Sequence, residues 1–138
     1  MTMPTREPLR SARAAPPGLA LYRVLTWVAA LGIVLQGVWA GMFVRPGQAF
    51  DATWVTVHAR GGEVTIAVAL AAAVVAFWRL RSRRDLVVGS AALVVLLALE
   101  AFIGGEVYDN QGLTALHIPL ALALVGLAVW LPLRARTP

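Results

Sequence analysis

The sequence contains no cysteine and no lysine, and only 14% of its 138 residues are charged. Without cysteine, the chain has no disulfide framework, no thiolate metal site and no iron–sulfur cluster. In addition, 59% of the residues are hydrophobic, and the mean hydropathy is +0.75. Both the low charge and the high hydrophobic content are unusual for a soluble domain. Composition alone therefore predicts a protein of the lipid bilayer.

The sequence is rich in long apolar runs. Each of four runs reaches or approaches the roughly 20 residues that a helix needs to cross a bilayer. Helices are expected because backbone groups in lipid must be satisfied within their own segment. The connections between runs are short, which predicts an all-α, integral membrane four-helix bundle of up-down-up-down topology. The expected spans are Leu19–Val44, Val57–Trp78, Leu86–Ile103 and Leu113–Leu133.

The net charge of +5 comes entirely from 12 arginines, and their positions indicate orientation. If the chain crosses four times, ten arginines fall on one side and only Arg45 and Arg60 fall on the other. By the positive-inside rule, both termini are then cytoplasmic, in a bacterial inner membrane. This distribution accounts for the basic balance without a nucleic-acid partner. The ten are Arg6, Arg10, Arg13, Arg23, Arg79, Arg81, Arg83, Arg84, Arg134 and Arg136.

The chain divides into a tail, a membrane domain and a second tail. Residues 1–18 are rich in Arg, Pro and Ala without apolar periodicity, so they predict a disordered cytoplasmic tail. Residues 19–133 form the four-helix transmembrane domain, and residues 134–138 form a short cytoplasmic tail. The outer connections, RPGQAFDATW and GGEVYDNQG, are rich in turn-forming residues. Gly37 and Gly41 make a GxxxG pattern that predicts helix packing.

The only two histidines, His58 and His117, open the second and fourth spans. In an up-down bundle these spans are diagonal partners, roughly 11 to 14 Å apart given ordinary neighbour distances. That gap suits a flat macrocycle held axially from both sides, and haem iron accepts histidine as an axial ligand. Small residues follow each histidine on its own helix face, which predicts a slot for haem b. They are Gly61, Gly62, Thr65 and Ala121.

Four further polar residues lie in or beside the spans. Gln36, Glu63 and Glu100 fall in the outer halves, and a carboxylate within hydrocarbon is a functional candidate because it is costly to place there. Arg60 lies at the outer boundary, where it either extends to lipid headgroups or neutralises a haem propionate. Histidine at a span entrance also occurs as an ordinary interfacial residue, and the small residues also serve as a packing face.

Two segments show a family resemblance. WVTVHARGGEVTIAVALAAAVVAFW and LTALHIPLALALVGLAVWL, with histidines 59 residues apart, resemble one four-helix half of haem A synthase. The resemblance implies His58 and His117 as axial ligands. The chain matches a single half and lacks the family's glutamate before the first histidine, so the resemblance does not extend to haem-hydroxylating chemistry. VLQGVWAGMFV and FDATWVTVHARGG also resemble small bacterial four-span membrane proteins of unknown function.

These features favour a small cytochrome-b-like protein that binds haem b in electron transfer or haem handling. Such a protein is not expected to be an enzyme on its own. One alternative is a cofactor-free accessory subunit that packs against a respiratory or transport complex. Another is a homo-oligomer that conducts protons or solutes through Glu63 and Glu100.

Overall fold

A computed structural model describes residues 16–44 and 51–136 of the protein. Most of the expected N-terminal tail, residues 45–50 of the first expected outer connection and the last two residues therefore lie outside the described residues. Within the described ranges the chain is all-helical, and the prediction of four apolar helices is confirmed. The helices are α1 (Leu19–Phe43), α2 (Ala52–Arg79), α3 (Arg84–Glu106) and α4 (Thr114–Arg134), with a short 3-10 helix at Gln111–Leu113.

All four helices are long and apolar enough to cross a membrane. α2 starts five residues earlier than the apolar pattern predicts, because Asp51 caps it by accepting hydrogen bonds from Thr53 N and Trp54 N. His58 consequently lies in the second turn of α2 and not at its entrance. α3 is also longer than predicted and includes Gly104 and Gly105, which the sequence assigned to a turn.

Each helix packs against two neighbours. α1 contacts α2 and α4, and α3 contacts the same two helices. Among the described residues, no Cα of α2 lies within 8 Å of a Cα of α4. The two helices that carry the histidines are therefore diagonal, as the sequence predicts.

The bundle interior is apolar in the middle and polar towards both ends. At one end the buried Tyr22 hydroxyl lies 2.9 Å from Ser90 Oγ, which joins α1 to α3 across the bundle. At the other end the interior holds His58, Glu100 and His117. Between them lies a buried apolar cluster made by Ala29, Ala30, Ile33, Ala69, Leu93, Leu97, Leu124, Ala128 and Leu131.

Two prolines lie inside α4, at Pro119 and Pro132. Proline has no amide hydrogen, so Pro119 cannot donate to the carbonyl of Ala115 one turn earlier. His117 lies between these two residues. His117 therefore lies in the first turn of α4, where the hydrogen bond from residue 119 to the Ala115 carbonyl is missing.

Candidate functional site

His58 is held against α1. Its Nδ1 lies 3.1 Å from the backbone oxygen of Gln36, and its ring meets Phe43 edge-on with the ring centres 5.4 Å apart. The imidazole is half-buried on the side of α2 that also presents the buried Thr65 to the bundle. Contacts with α1 thus fix both the position and the tilt of this ring.

The Gln36 side chain holds the same turn of α2. In the amide orientation that satisfies its hydrogen bonds, the nitrogen donates to His58 O over 2.8 Å, and the oxygen accepts from Gly62 N over 3.0 Å. In this orientation the amide nitrogen also donates to His58 Nδ1 over 3.0 Å when Nδ1 carries no proton. The other tautomer exchanges that bond for one to the backbone: with the proton on Nδ1, Nδ1 donates to the backbone oxygen of Gln36, and Nε2 keeps its lone pair.

The small residues after His58 pack against α1. A Cβ at Gly61 would collide with the Trp39 ring, whose Cε3 would lie only 2.8 Å away. Thr65 donates to Gly61 O over 2.7 Å and fills the space beside Gly32. Gly61 and Thr65 therefore allow α1 and α2 to approach closely: the Trp39 ring occupies the space at Gly61, and Thr65 occupies the space at Gly32. Ala121 is half-buried on α4, one turn beyond His117.

His117 is held against α3. Its Nδ1 lies 2.9 Å from Glu100 Oε1, and its ring covers Gly104, where a Cβ would stand 2.8 Å from the ring atom Cε1. The two atoms of the His117–Glu100 pair are close but not aligned as a hydrogen bond. Glu100 is only 9% exposed at this end of the bundle. Three buried polar atoms therefore have no well-oriented hydrogen-bond partner: both Glu100 carboxylate oxygens and His117 Nδ1.

The two histidines have matching surroundings. Each Nδ1 faces an oxygen of a neighbouring helix, from a backbone carbonyl at His58 and from a carboxylate at His117. Among the described residues, neither Nε2 makes a hydrogen bond. The two rings project from diagonal helices at one end of the bundle. In metal-binding histidines the second ring nitrogen commonly donates to an oxygen acceptor; here the Nδ1 of His58 makes such a contact, and that of His117 lies close to a carboxylate oxygen without hydrogen-bond alignment.

Arg60 and Glu63 lie on the opposite side of α2 from the histidine. Arg60 Nη1 donates to Glu63 Oε2 over 2.7 Å, and the two side chains are 73% and 62% exposed. The structure thus separates the two carboxylates singled out in the sequence. Glu100 faces the bundle interior beside His117, and Glu63 faces outwards.

An open apolar groove runs along the outside of α1 and α2. Its volume is about 440 Å³, and Arg60 and Gly61 lie at its edge beside Trp39. Neither histidine lines it. The groove is a feature of the outer surface and belongs to a different region from the polar interior.

The site includes residues that the sequence pattern did not single out. Trp39 and Phe43 pack against Gly61 and His58, and Gly104 makes room for the His117 ring. Gly104 follows Glu100 by one helical turn, so a glycine on the same face as a buried acid was an available signal for a close-packed ring. No family model, no curated protein and no solved structure matches this chain.

Proposed function

We propose that the chain is a small cytochrome-b-like protein of the bacterial inner membrane, with His58 and His117 as the axial ligands of one haem b. The carrying observation is the matched orientation of the two imidazoles. Each has its Nδ1 facing an oxygen and its Nε2 without a hydrogen bond among the described residues. The donor set fits haem iron, which takes two neutral imidazoles through one nitrogen each.

The proposed topology is up-down-up-down with both termini cytoplasmic. Contacts between helix ends support it, because Gly18 at the start of α1 lies beside Arg79 at the end of α2. Gly104 near the end of α3 likewise lies beside His117 at the start of α4. In this orientation the histidine end of the bundle is the outer end and the arginine-rich end is cytoplasmic.

Each residue of the site has a separate role in the proposal. Gln36 orients His58 and fixes its turn of α2, while Glu100 supplies the acidic group beside His117 Nδ1. The bound haem would supply reversible one-electron transfer. Apolar packing in the middle of the bundle separates the site from the cytoplasmic end. The chain would thus accept and release electrons near the outer face.

Visible absorption of the purified full-length protein tests the proposal. With haem supplied during expression, we expect a six-coordinate, low-spin spectrum with sharp α and β bands on reduction and little binding of carbon monoxide. H58A and H117A should each give five-coordinate or weakly bound haem, and the double variant should bind none.

A matched pair of carboxylate variants controls for general damage. E100Q changes the acid beside His117, and E63Q changes the acid on the outer side of α2. We expect E100Q to alter the spectrum or the reduction potential and E63Q to leave both unchanged. A well-folded wild type with no Soret band after haem supplementation contradicts the proposal and favours the cofactor-free accessory subunit.

A further inference from the structure

The outer side of α2 carries an exposed strip with seven-residue periodicity. Its members recur at alternating intervals of four and three residues, which is the spacing of the seam in a two-stranded coiled coil. All of them are exposed in the single chain. We name this strip the α2 seam; it consists of Thr56, Arg60, Glu63, Ala67, Leu70, Val74 and Phe77.

The two charged residues of the α2 seam lie within the depth of a bilayer. Glu63 comes 16 residues before Arg79, the last residue of α2, so it lies about 24 Å along the helix axis from that end. A hydrocarbon core is about 30 Å thick. With Arg79 at the cytoplasmic boundary, Glu63 is inside the core, and Arg60 is close to its outer edge. Charged side chains at such depth normally face protein or water and not lipid.

We propose that the α2 seam is the interface of a parallel homodimer, in which a second copy of this chain covers Arg60 and Glu63. The occupant follows from charge complementarity. Each copy presents one positive and one negative side chain three residues apart, on the same face. When two such faces meet about a two-fold axis normal to the membrane, each residue lies at the depth of its own copy. Arg60 of one chain is then about 4.5 Å along the axis from Glu63 of the other, a separation that the long arginine side chain can span. Copies inserted with the same orientation have parallel α2 helices, as this pairing requires.

The pair within one chain does not satisfy these charges as fully as a dimer would. The Arg60 and Glu63 side chains are 73% and 62% exposed, so most of their surface would face lipid in a monomer. A second copy would make a closed group of four alternating charges and remove that surface from lipid. Ala67, one heptad beyond Arg60, has a small side chain that lets the two helices approach closely below the charges.

This inference is independent of haem, since the α2 seam faces away from both histidines. If the protein is monomeric, the haem spectrum should still be the one proposed above. If the protein binds no haem, the dimer should still form. The two proposals are therefore tested separately in the same preparations.

Charge exchange tests the interface in the full chain, reconstituted in vesicles and measured by the mass of the extracted complex. We expect twice the 14.7 kDa chain mass for the wild type and a fall to the single-chain mass for R60E and for E63R. The double variant R60E/E63R should regain the dimer, because both signs are restored in reversed order. Co-expressed R60E and E63R chains should form a mixed dimer although neither pairs with itself. E106R, which reverses an exposed charge at the end of α3, should stay dimeric.

Disulfide cross-linking can locate the contact. The chain has no cysteine of its own, so any disulfide must form through the cysteine that is introduced. A67C should form a disulfide-linked dimer under mild oxidation in vesicles, since Ala67 would meet its own copy across the axis. A98C, on the exposed side of α3, should not. A monomeric wild type overturns the proposal, as does a dimer that links through G41C on α1 and not through A67C. Retention of the dimer in R60E would equally refute it.

Discussion

Gly104 lies directly beneath the His117 ring, so the substitution G104A tests the packing of the candidate site. The added Cβ would stand 2.8 Å from Cε1, 3.4 Å from Nε2 and 3.5 Å from Nδ1 of His117. Ordinary contact begins at 3.4 Å, so the ring must move by about 0.6 Å or the two helices must separate. Either movement changes the position of His117 relative to Glu100.

The magnitude is measured against a neighbouring glycine. Both Gly104 and Gly105 lie in α3 with ordinary helical backbone, and a Cβ at Gly105 would meet nothing within 4 Å. Alanine should raise the free energy of unfolding by about 0.5–1 kcal/mol at either position through backbone preference. At Gly104, the collision with the His117 ring should in addition lower the free energy of unfolding by about 1–3 kcal/mol. We therefore expect G104A to be less stable than G105A by about 1–3 kcal/mol.

Reversible unfolding in mixed micelles, followed by helical circular dichroism, measures this difference. The H117A background supplies the decisive control, because removing the ring removes the collision. In that background G104A should become as favourable as G105A, which gives a coupling energy between residues 104 and 117. Equal stabilities of G104A and G105A in the wild-type background would refute the close contact between Gly104 and the ring.

Two further predictions concern the opposite end and the orientation of the bundle. Y22F removes the hydroxyl that meets Ser90 Oγ in the buried interior, so it should lower the free energy of unfolding by about 1–2 kcal/mol, and S90A should add little to it. Fully additive effects in a double-mutant cycle would contradict a direct hydrogen bond. For orientation, a reporter fused after Pro138 should be active only if it works in the cytoplasm, and one inserted at Gln48 only if it works outside. The reverse pattern would place the histidines at the inner face.

Hydropathy was sufficient to predict the four helices but not where they begin and end. The pattern placed the start of the second helix near Val57, yet the Asp51 cap extends that helix to Ala52. A sum over apolar residues cannot detect a cap, because the cap depends on one side chain and two backbone amides. The same limit applies to Gly104 and Gly105, which are turn formers by type but continue α3; the His117 ring of α4 packs against Gly104, while Gly105 faces open space.

The placement of His58 and His117 on the second and fourth of four consecutive spans predicted their diagonal relation, because alternate helices of an up-down bundle lie across from each other. Periodicity could not give the side-chain partners. Gly61 and Thr65 share the face of His58 in the sequence, but in the structure the Trp39 ring packs over Gly61, and the Thr65 side chain packs over Gly32. Which neighbour occupies a small-residue face depends on the rotation of the adjacent helix, and one helical sequence does not specify that rotation.

Because of Pro119, we expect the two histidines to differ in mobility. The turn of α2 that carries His58 is held by the side-chain amide of Gln36 on α1, which makes hydrogen bonds with both His58 O and Gly62 N. The turn that carries His117 lacks the hydrogen bond that Pro119 cannot donate, and it follows directly after a short 3-10 helix. Its amides should exchange with solvent through local opening long before those of the bundle middle. A ligand that enters between the helices would therefore meet one rigid imidazole and one that adjusts to it.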